Sequence, residues 1–291
     1  MAIWELDFYS RPVLDENQKK LWEVLICEAP SKVDQNPETL YKFTKVCPNT
    51  TVNSLWLQGA IAEAIQEAGV TPKKIRFFRR QMNNMISKAC EDLGISPVSS
   101  RRTYTLCQWL DDRKVNFYPQ QEGYDIVAAN SPSVQYPPLN PTPLPEAVRG
   151  DKSDKWSFVS LQADAFREMN EWDIAFKELF PILNMGVSAD TIIPGLIIYS
   201  GRALPLAGWM SGLDLGYLKL EMGTRPIVRL ETAASDSWIL VNITSPGTLQ
   251  EAKNFEEQKS GANKIHFLAI QSSPDSESFA GFWLLKENEP G

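Results

Sequence analysis

The strongest constraint on this chain is an alternation of two hydrophobic periods across its first 117 or so residues. Trp4, Leu6 and Phe8 alternate with Glu5 and Asp7, a period of two that reads as a half-buried strand. Ser10-Arg11-Pro12 and Asp15-Glu16-Asn17 supply turn chemistry before a second apolar run, Leu21 to Cys27, so the two runs read as a hairpin. Tyr41 to Val46 is a third strand. The period then changes to helical: Thr51 or Asn53 caps a helix with Leu57, Ala60, Ile61, Ala64, Ile65 and Ala68 on one face, and Gly69 closes it. A strand at Lys74 to Phe78, a helix with Met82, Met85, Ile86, Ala89, Cys90 and Leu93 as its stripe, a brief strand near Ile95 to Ser99 and a helix from about Thr103 to Val115 complete the segment.

Three strands, a helix, a strand, a helix, a strand and a helix is the element order of a ribonuclease H-like domain. Catalysis on that scaffold needs carboxylates that hold two divalent ions against the attacking and leaving oxygens. Asp7 stands where the first is expected. The first turn of the first helix, Asn53 to Gln58, contains no acid, and the end of the fourth strand carries Arg79-Arg80 in place of one. Asp111 or Asp112 is left as a last ligand. One or two acids hold an ion weakly, so the expectation is a nuclease scaffold without its chemistry, no metal and no cofactor. The rival reading is a metal-dependent nuclease using Glu5, Asp7 and Asp111 or Asp112.

The same replacement inverts the local field. Lys73, Lys74, Arg76, Arg79, Arg80, Lys88, Arg101 and Arg102 face only Glu91 and Asp92 in that stretch, on a chain of net charge −7. A cationic patch on an anionic body favours a specific polyanion contact over general stickiness. With Phe77, Phe78, Asn83 and Asn84 among the cations, the stretch has the ingredients of single-stranded RNA recognition: forks for phosphates, rings for stacked bases, amides for base edges. The expected contacts are Arg76, Phe77, Phe78, Arg79, Arg80, Asn83, Arg101 and Arg102. Neighbours on a strand point opposite ways, so one of the two Phe residues faces the core. The alternative is that both rings are buried and the arginines are a solvated edge.

At 291 residues two domains are the default. Ser131-Pro132, Pro137-Pro138, Asn140-Pro141, Pro143 and Pro145 mark a proline-rich strap that holds neither helix nor sheet. The expected boundaries are 1–128, a linker over 129–155, and an α+β domain with a largely antiparallel sheet over 156–291. In the latter, Asp164 to Phe180 reads as a helix. Ile192 to Tyr199, Leu204 to Met210, Tyr217 to Glu221, Pro226 to Leu230 and Trp238 to Asn242 read as a meander. A helix near Leu249 to Lys259 capped by Thr248 follows, then a hairpin of Ile265 to Gln271 with Gly281 to Lys286. This layout also fits a restriction-endonuclease-like domain, but no acid-acid-lysine constellation accompanies it. His266, the single histidine, reads as a strand residue facing solvent or a backbone partner. Cys27, Cys47, Cys90 and Cys107 sit in apolar patterns and read as reduced thiols. No apolar run is long enough to span a membrane, and the early start of the first motif suggests a cytoplasmic protein without a signal or transit peptide.

Three segments carry a resemblance: Trp4-Glu5-Leu6-Asp7-Phe8-Tyr9-Ser10-Arg11-Pro12, Ile75-Arg76-Phe77-Phe78-Arg79, and Gly281-Phe282-Trp283-Leu284-Leu285. The chain resembles, over nearly its whole length, the Tab-type family of RNA-binding proteins of cyanobacteria and chloroplasts. The resemblance implies a non-catalytic cyanobacterial protein that binds the leader of a photosystem I reaction-centre messenger and promotes its translation, with translation or photosystem assembly proteins as further partners. It also implies a functional role for Trp283, Leu284 and Leu285, although an alternating strand buried on both faces accounts for these three as core. A third reading is a protein-interaction adaptor whose acidic second domain docks a partner in photosystem biogenesis.

Overall fold

The computed structural model describes residues 2–131, 140–149 and 154–288. Among these, 2–30 and 37–131 form one compact unit, and 31–36, 140–149 and 154–288 form another.

The first unit is a five-stranded sheet of β1 (Ile3–Leu14), β2 (Lys20–Glu28), β3 (Lys42–Cys47), β4 (Lys74–Phe77) and β5 (Ser96–Ser99), in the spatial order β3-β2-β1-β4-β5. β2 runs antiparallel to both β1 and β3, and β4 and β5 run parallel to β1. That order and those directions are the ribonuclease H-like sheet expected from the element sequence. Helices α1 (Ser54–Ala68) and α2 (Asn83–Glu91) connect β3 to β4 and β4 to β5, and α3 (Tyr104–Asp112) follows β5. Asn53 caps α1 by accepting from the Trp56 amide, and Gly69, at φ 66°, ends it with a bond from its amide to Ile65.

Alternation along β1 divides the unit into two cores. Trp4, Leu6 and Phe8 bury against Leu57, Ala60 and Ile61 of α1 and Ile86 and Ala89 of α2. On the other side Leu25, Cys27 and Phe78 pack with Leu106 and Leu110 of α3 and with Tyr118. Two local features differ from expectation. Ser10-Arg11-Pro12 does not turn; β1 runs on to Leu14 with an irregular register, and the turn is Asp15 to Lys19, where the Asp15 carboxylate accepts from the Asn17 and Lys19 amides at 2.9 Å. The last helix ends at Asp112 and widens into a π-helical turn, Arg113–Phe117. A short helix α4 (Ile126–Ala129), capped by Asp125, closes the unit.

The second unit holds two sheets. One has the order β7-β9-β13-β14-β8, from β7 (Lys155–Gln162), β8 (Ile174–Glu178), β9 (Ile192–Tyr199), β13 (Ile265–Gln271) and β14 (Phe279–Lys286). The other is an antiparallel meander of β10 (Leu215–Glu221), β11 (Ile227–Thr232) and β12 (Asp236–Asn242), edged by the two-residue β6 (Thr142–Pro143). Helices α5 (Ala203–Gly212) and α6 (Pro246–Gly261) complete it, and Trp283, Leu285, Leu268, Met210 and Leu218 share one core.

Here the sequence reading needs correction at several points. Leu204 to Met210 is helix, not strand: its apolar residues run all round, and a continuous apolar stretch looks the same in a buried helix and a buried strand. The helix expected over Asp164 to Phe180 is a 3₁₀ segment, Ala163–Asn170, followed by β8, so Phe176 is a strand residue. The cap of α6 is Ser245, with Thr248 completing a capping box three residues on. Pro143 lies in a sheet after all, at an edge where its missing N–H breaks no ladder. Pro132, Pro137 and Pro138 of the expected strap lie outside the described residues.

Candidate functional site

The polar face of β1 carries the site. Glu5 and Asp7 point away from the α1–α2 core, and both are buried. Asp7 is held from two sides: Arg11 Nη1 donates to Oδ2 at 2.8 Å, and Arg79 donates from Nε to Oδ1 at 2.5 Å and from Nη2 to Oδ2 at 3.2 Å. Burial opposes ionisation of Asp7, but the Arg11 and Arg79 guanidiniums outweigh it and hold the carboxyl below its ordinary range. Arg79 follows the end of β4, where a ribonuclease H site would place another carboxylate. Its guanidinium lies 4.0 Å from the Tyr9 ring centroid and 4.8 Å from that of Phe78.

The network continues inward. Arg11 Nε donates to Glu23 Oε2 at 3.0 Å. Tyr118 donates to the same oxygen at 2.6 Å, Thr44 donates to Oε1 at 2.9 Å, and Arg113 pairs with Oε1. Burial pushes the Tyr118 phenol up to about 12, with Arg11 pulling down and Glu23 pushing up. Three guanidiniums and two carboxylates therefore alternate through the interior as Arg79, Asp7, Arg11, Glu23 and Arg113. A charge left alone there would cost several kcal/mol, about 3 to 5 for breaking a buried pair. That cost binds the five together.

Glu5 forms a second centre. It lies beside Arg76 in the β1–β4 register and accepts from the Leu106 amide, in the first turn of α3, at 2.7 Å. Burial pushes its carboxyl up to about 8, against the pull of the Leu106 amide, Arg76 and Arg102.

These placements revise the expected RNA contacts. Arg76 and Arg102 are buried near Glu5, and Arg79 is committed to Asp7. Phe77 and Phe78 are both buried, on opposite faces of the sheet, so neither ring offers a face to a base. Of the two alternatives, burial of both rings is the one found, because α3 covers the second side of the sheet. What the structure does bring together is the rim. Residues 79–80 follow β4 and residues 101–102 follow β5, and Phe77 pairs with Ser99 at the ends of these adjacent parallel strands. Half-buried Arg80 and Arg101 and the exposed Asn83 of α2 thus lie near the carboxyl edge of the sheet, whereas Lys73 and Lys74 lie at its opposite end. The continuous cationic stretch of the sequence is two separate groups in space.

Among the described residues no group of three or more His, Cys, Asp or Glu side chains could hold a metal ion. Of the acids in the nuclease reading, Asp7 is occupied by guanidiniums, while Asp111 pairs with Lys114 and Asp112 accepts from Asn116. The sequence reading missed Glu23, Arg113 and Tyr118. Glu23 had a usable signal, a lone acid inside the apolar run Leu21 to Cys27; Arg113 and Tyr118 had none.

In the second unit Trp283, Leu284 and Leu285 are all buried, Trp283 and Leu285 facing the core that contains α5. His266 is buried and uses backbone partners: Nε2 accepts from the Leu218 amide at 2.8 Å, and Nδ1 lies 3.0 Å from the Lys264 carbonyl. Among the described residues no helix is long and apolar enough to cross a membrane.

Comparison with known proteins covers both units. Residues 3–113 match the family model described as RNA-binding protein Tab2/Atab2 N terminal, and residues 131–286 match that of the RNA-binding protein Tab2/Atab2 C-terminal domain. The chain is similar to the protein TAB2 homolog, chloroplastic, of Zea mays, at 36% identity over 99% of this chain and 72% of the maize protein. The homolog of the same name in Arabidopsis thaliana is also 36% identical, over 99% of this chain and 75% of its own length. No solved structure matches. Both relatives are named chloroplastic, which overturns the cytoplasmic expectation: the position of the first strand motif reports where the fold starts and carries no information about the compartment. With both halves matched and a third of its residues shared with these homologs, the chain belongs to the Tab2/Atab2 family of RNA-binding proteins.

Proposed function

We propose that this protein binds the leader of a photosystem messenger, chiefly that of a photosystem I reaction-centre protein, and promotes its translation without cutting it. The match of both units to an RNA-binding family carries the reading. The replacement of a metal-binding position by Arg79, whose guanidinium occupies both oxygens of Asp7, supports binding over hydrolysis. Arg80, Arg101 and Asn83 form the contact surface. They lie near the carboxyl ends of parallel strands, the edge at which open α/β sheets receive ligands.

The test uses labelled single-stranded RNA, the photosystem I leader against a shuffled sequence of equal composition, with affinity read by fluorescence anisotropy across a salt series. Arg80→Gln with Arg101→Gln should weaken binding and flatten the salt dependence by about 0.7 per lost contact, about 1.4 for the pair. An unchanged slope removes these two residues from the interface. Equal affinity for leader and shuffled RNA removes the messenger assignment, and RNA cleavage in Mg²⁺ that disappears in Asp7→Asn removes the non-cutting reading.

A further inference from the structure

We propose that Trp22 and Trp56, held in place by Phe8 and Tyr9, are the platform on which unpaired RNA bases stack at the carboxyl edge of the first unit's sheet. The proposal rests on the RNA-binding reading above and supplies the aromatic faces that buried Phe77 and Phe78 do not. Trp56 lies in the first turn of α1, where its amide donates to the Asn53 cap at 2.9 Å. That is the turn in which a ribonuclease H-like site would carry its second carboxylate, so a ring stands there as Arg79 stands after β4. Trp22 pairs with Ser10 of β1 and with Cys47, the last residue of β3. Because β1, β3 and β4 run the same way, both tryptophans lie towards the edge that also carries Arg79, Arg80 and Asn83.

Both tryptophans are half-buried and packed on the α1–α2 core. Buried Phe8 is the hub. Trp56 stacks on it with ring planes 14° apart and centroids 5.5 Å apart, and Trp22 meets it at the same distance, inclined at 57°. Tyr9 braces Trp22 with centroids 5.8 Å apart and is itself covered by the Arg79 guanidinium, which Asp7 holds. The Lys45 ammonium lies 5.9 Å from the Trp56 centroid, so a cation borders the ring. A ring already immobilised by packing loses little freedom when a base stacks on it, and stacking tolerates any base. The rings and the exposed Asn83 amide thus contact bases while Arg80 and Arg101 contact phosphates. Affinity divides accordingly into a part that salt does not change and a part that it does.

The experiment titrates the full chain with labelled twelve-nucleotide single-stranded RNAs that tile the leader, and with an abasic version of the tightest binder, by fluorescence anisotropy across a salt series. The wild type should bind the intact strand at least about tenfold more tightly than the abasic one. Trp22→Leu and Trp56→Leu should each weaken binding of the intact strand about tenfold with the salt slope unchanged, and Trp56→Phe should keep most of the affinity. Photocrosslinking of the same RNA carrying 5-iodouridine should place the adduct on Trp22 or Trp56 by mass spectrometry. The abasic comparison and the crosslink use the wild type, so they decide the matter even where a variant fails to fold. Three outcomes overturn the platform and leave RNA binding itself standing: equal affinity of the wild type for intact and abasic strands, adducts confined to other residues, or full affinity in the folded fraction of the Trp22→Leu, Trp56→Leu double variant. Absence of binding to every leader segment instead fails the RNA-binding reading, and the platform with it.

Discussion

Replacing Asp7 by Asn tests the central electrostatic claim, because the side chain keeps its shape and loses its charge. In the native protein Asp7 accepts three hydrogen bonds from Arg11 and Arg79, at 2.8, 2.5 and 3.2 Å, in a site where Asp7 and Arg11 are at most 4% exposed. An Asn oxygen can keep one or two of these, and its amide nitrogen is turned towards a guanidinium. Charge-assisted bonds contribute roughly 1.5 to 3 kcal/mol each, and uncompensating a buried charge costs about 3 to 5 kcal/mol. Arg11 retains Glu23, which favours the lower half of that range, so the expected loss is about 3 kcal/mol. For a domain of this size that lowers Tm by roughly 10 °C. Urea or thermal unfolding followed by near-ultraviolet circular dichroism measures it, with the two units fitted as separate transitions. Asp7→Asn combined with Arg79→Met should recover part of the loss, since it removes the orphaned cation along with its partner. The reasoning fails if Asp7→Asn stabilises the protein or if Mg²⁺ raises the Tm of the wild type only, since either result marks Asp7 as a metal ligand under mutual repulsion and not as an arginine partner.

The pH dependence of the same region follows from Glu5. Its carboxyl is raised to about 8, so the folded state holds a proton that the unfolded chain releases near 4.5; stability is full below 4.5, falls as pH rises through 8, and levels off above it. Relative to Glu5→Gln, the wild type should lose up to about 1.4 kcal/mol per pH unit across that window, and a flat difference in chemical unfolding between pH 5 and 8 would refute it. Asp7 runs the other way: its depressed pKa gives stability that is present at neutral pH and lost as acid protonates it. In the second unit, Trp283→Ala should cost about 3 to 5 kcal/mol with RNA affinity unchanged in the folded fraction, and a large affinity loss at unchanged stability would instead make the tryptophan a contact residue. Gly281→Ala tests the same packing by overfilling: its Cβ would approach the Trp283 ring to 2.2 Å, so a loss of about 1 to 3 kcal/mol is expected in thermal unfolding.

Much of the first unit was legible because its signals are local. A two-residue period along Trp4 to Phe8, a 3.6-residue period along Leu57 to Ala64, and the caps Asn53 and Gly69 each depend on a few neighbouring residues. Element order then restricts topology, since parallel strands need helical crossovers of one hand. The second unit was less legible where apolar residues run without period. Ala203 to Gly212 packs as a helix and Ile192 to Tyr199 as a strand; neither shows a clear period, and only the four Ile of the strand, against a helix without a β-branched residue, separate them.

The site shows the same division more sharply. Sequence alone determined that acids are missing from the expected metal positions and that arginines stand near them, because residue identity at a position in the element order is a one-dimensional fact. Which of those arginines meets water was decided by tertiary structure. Arg79 and Arg80 are adjacent in the chain, yet one closes on Asp7 from seventy-two positions earlier and the other stays half-buried near the rim. Glu23, Arg113 and Tyr118 come together from distant segments for the same reason. A buried charge is stable only beside its opposite, and that neighbour is chosen by how strands and helices pack, not by distance along the chain.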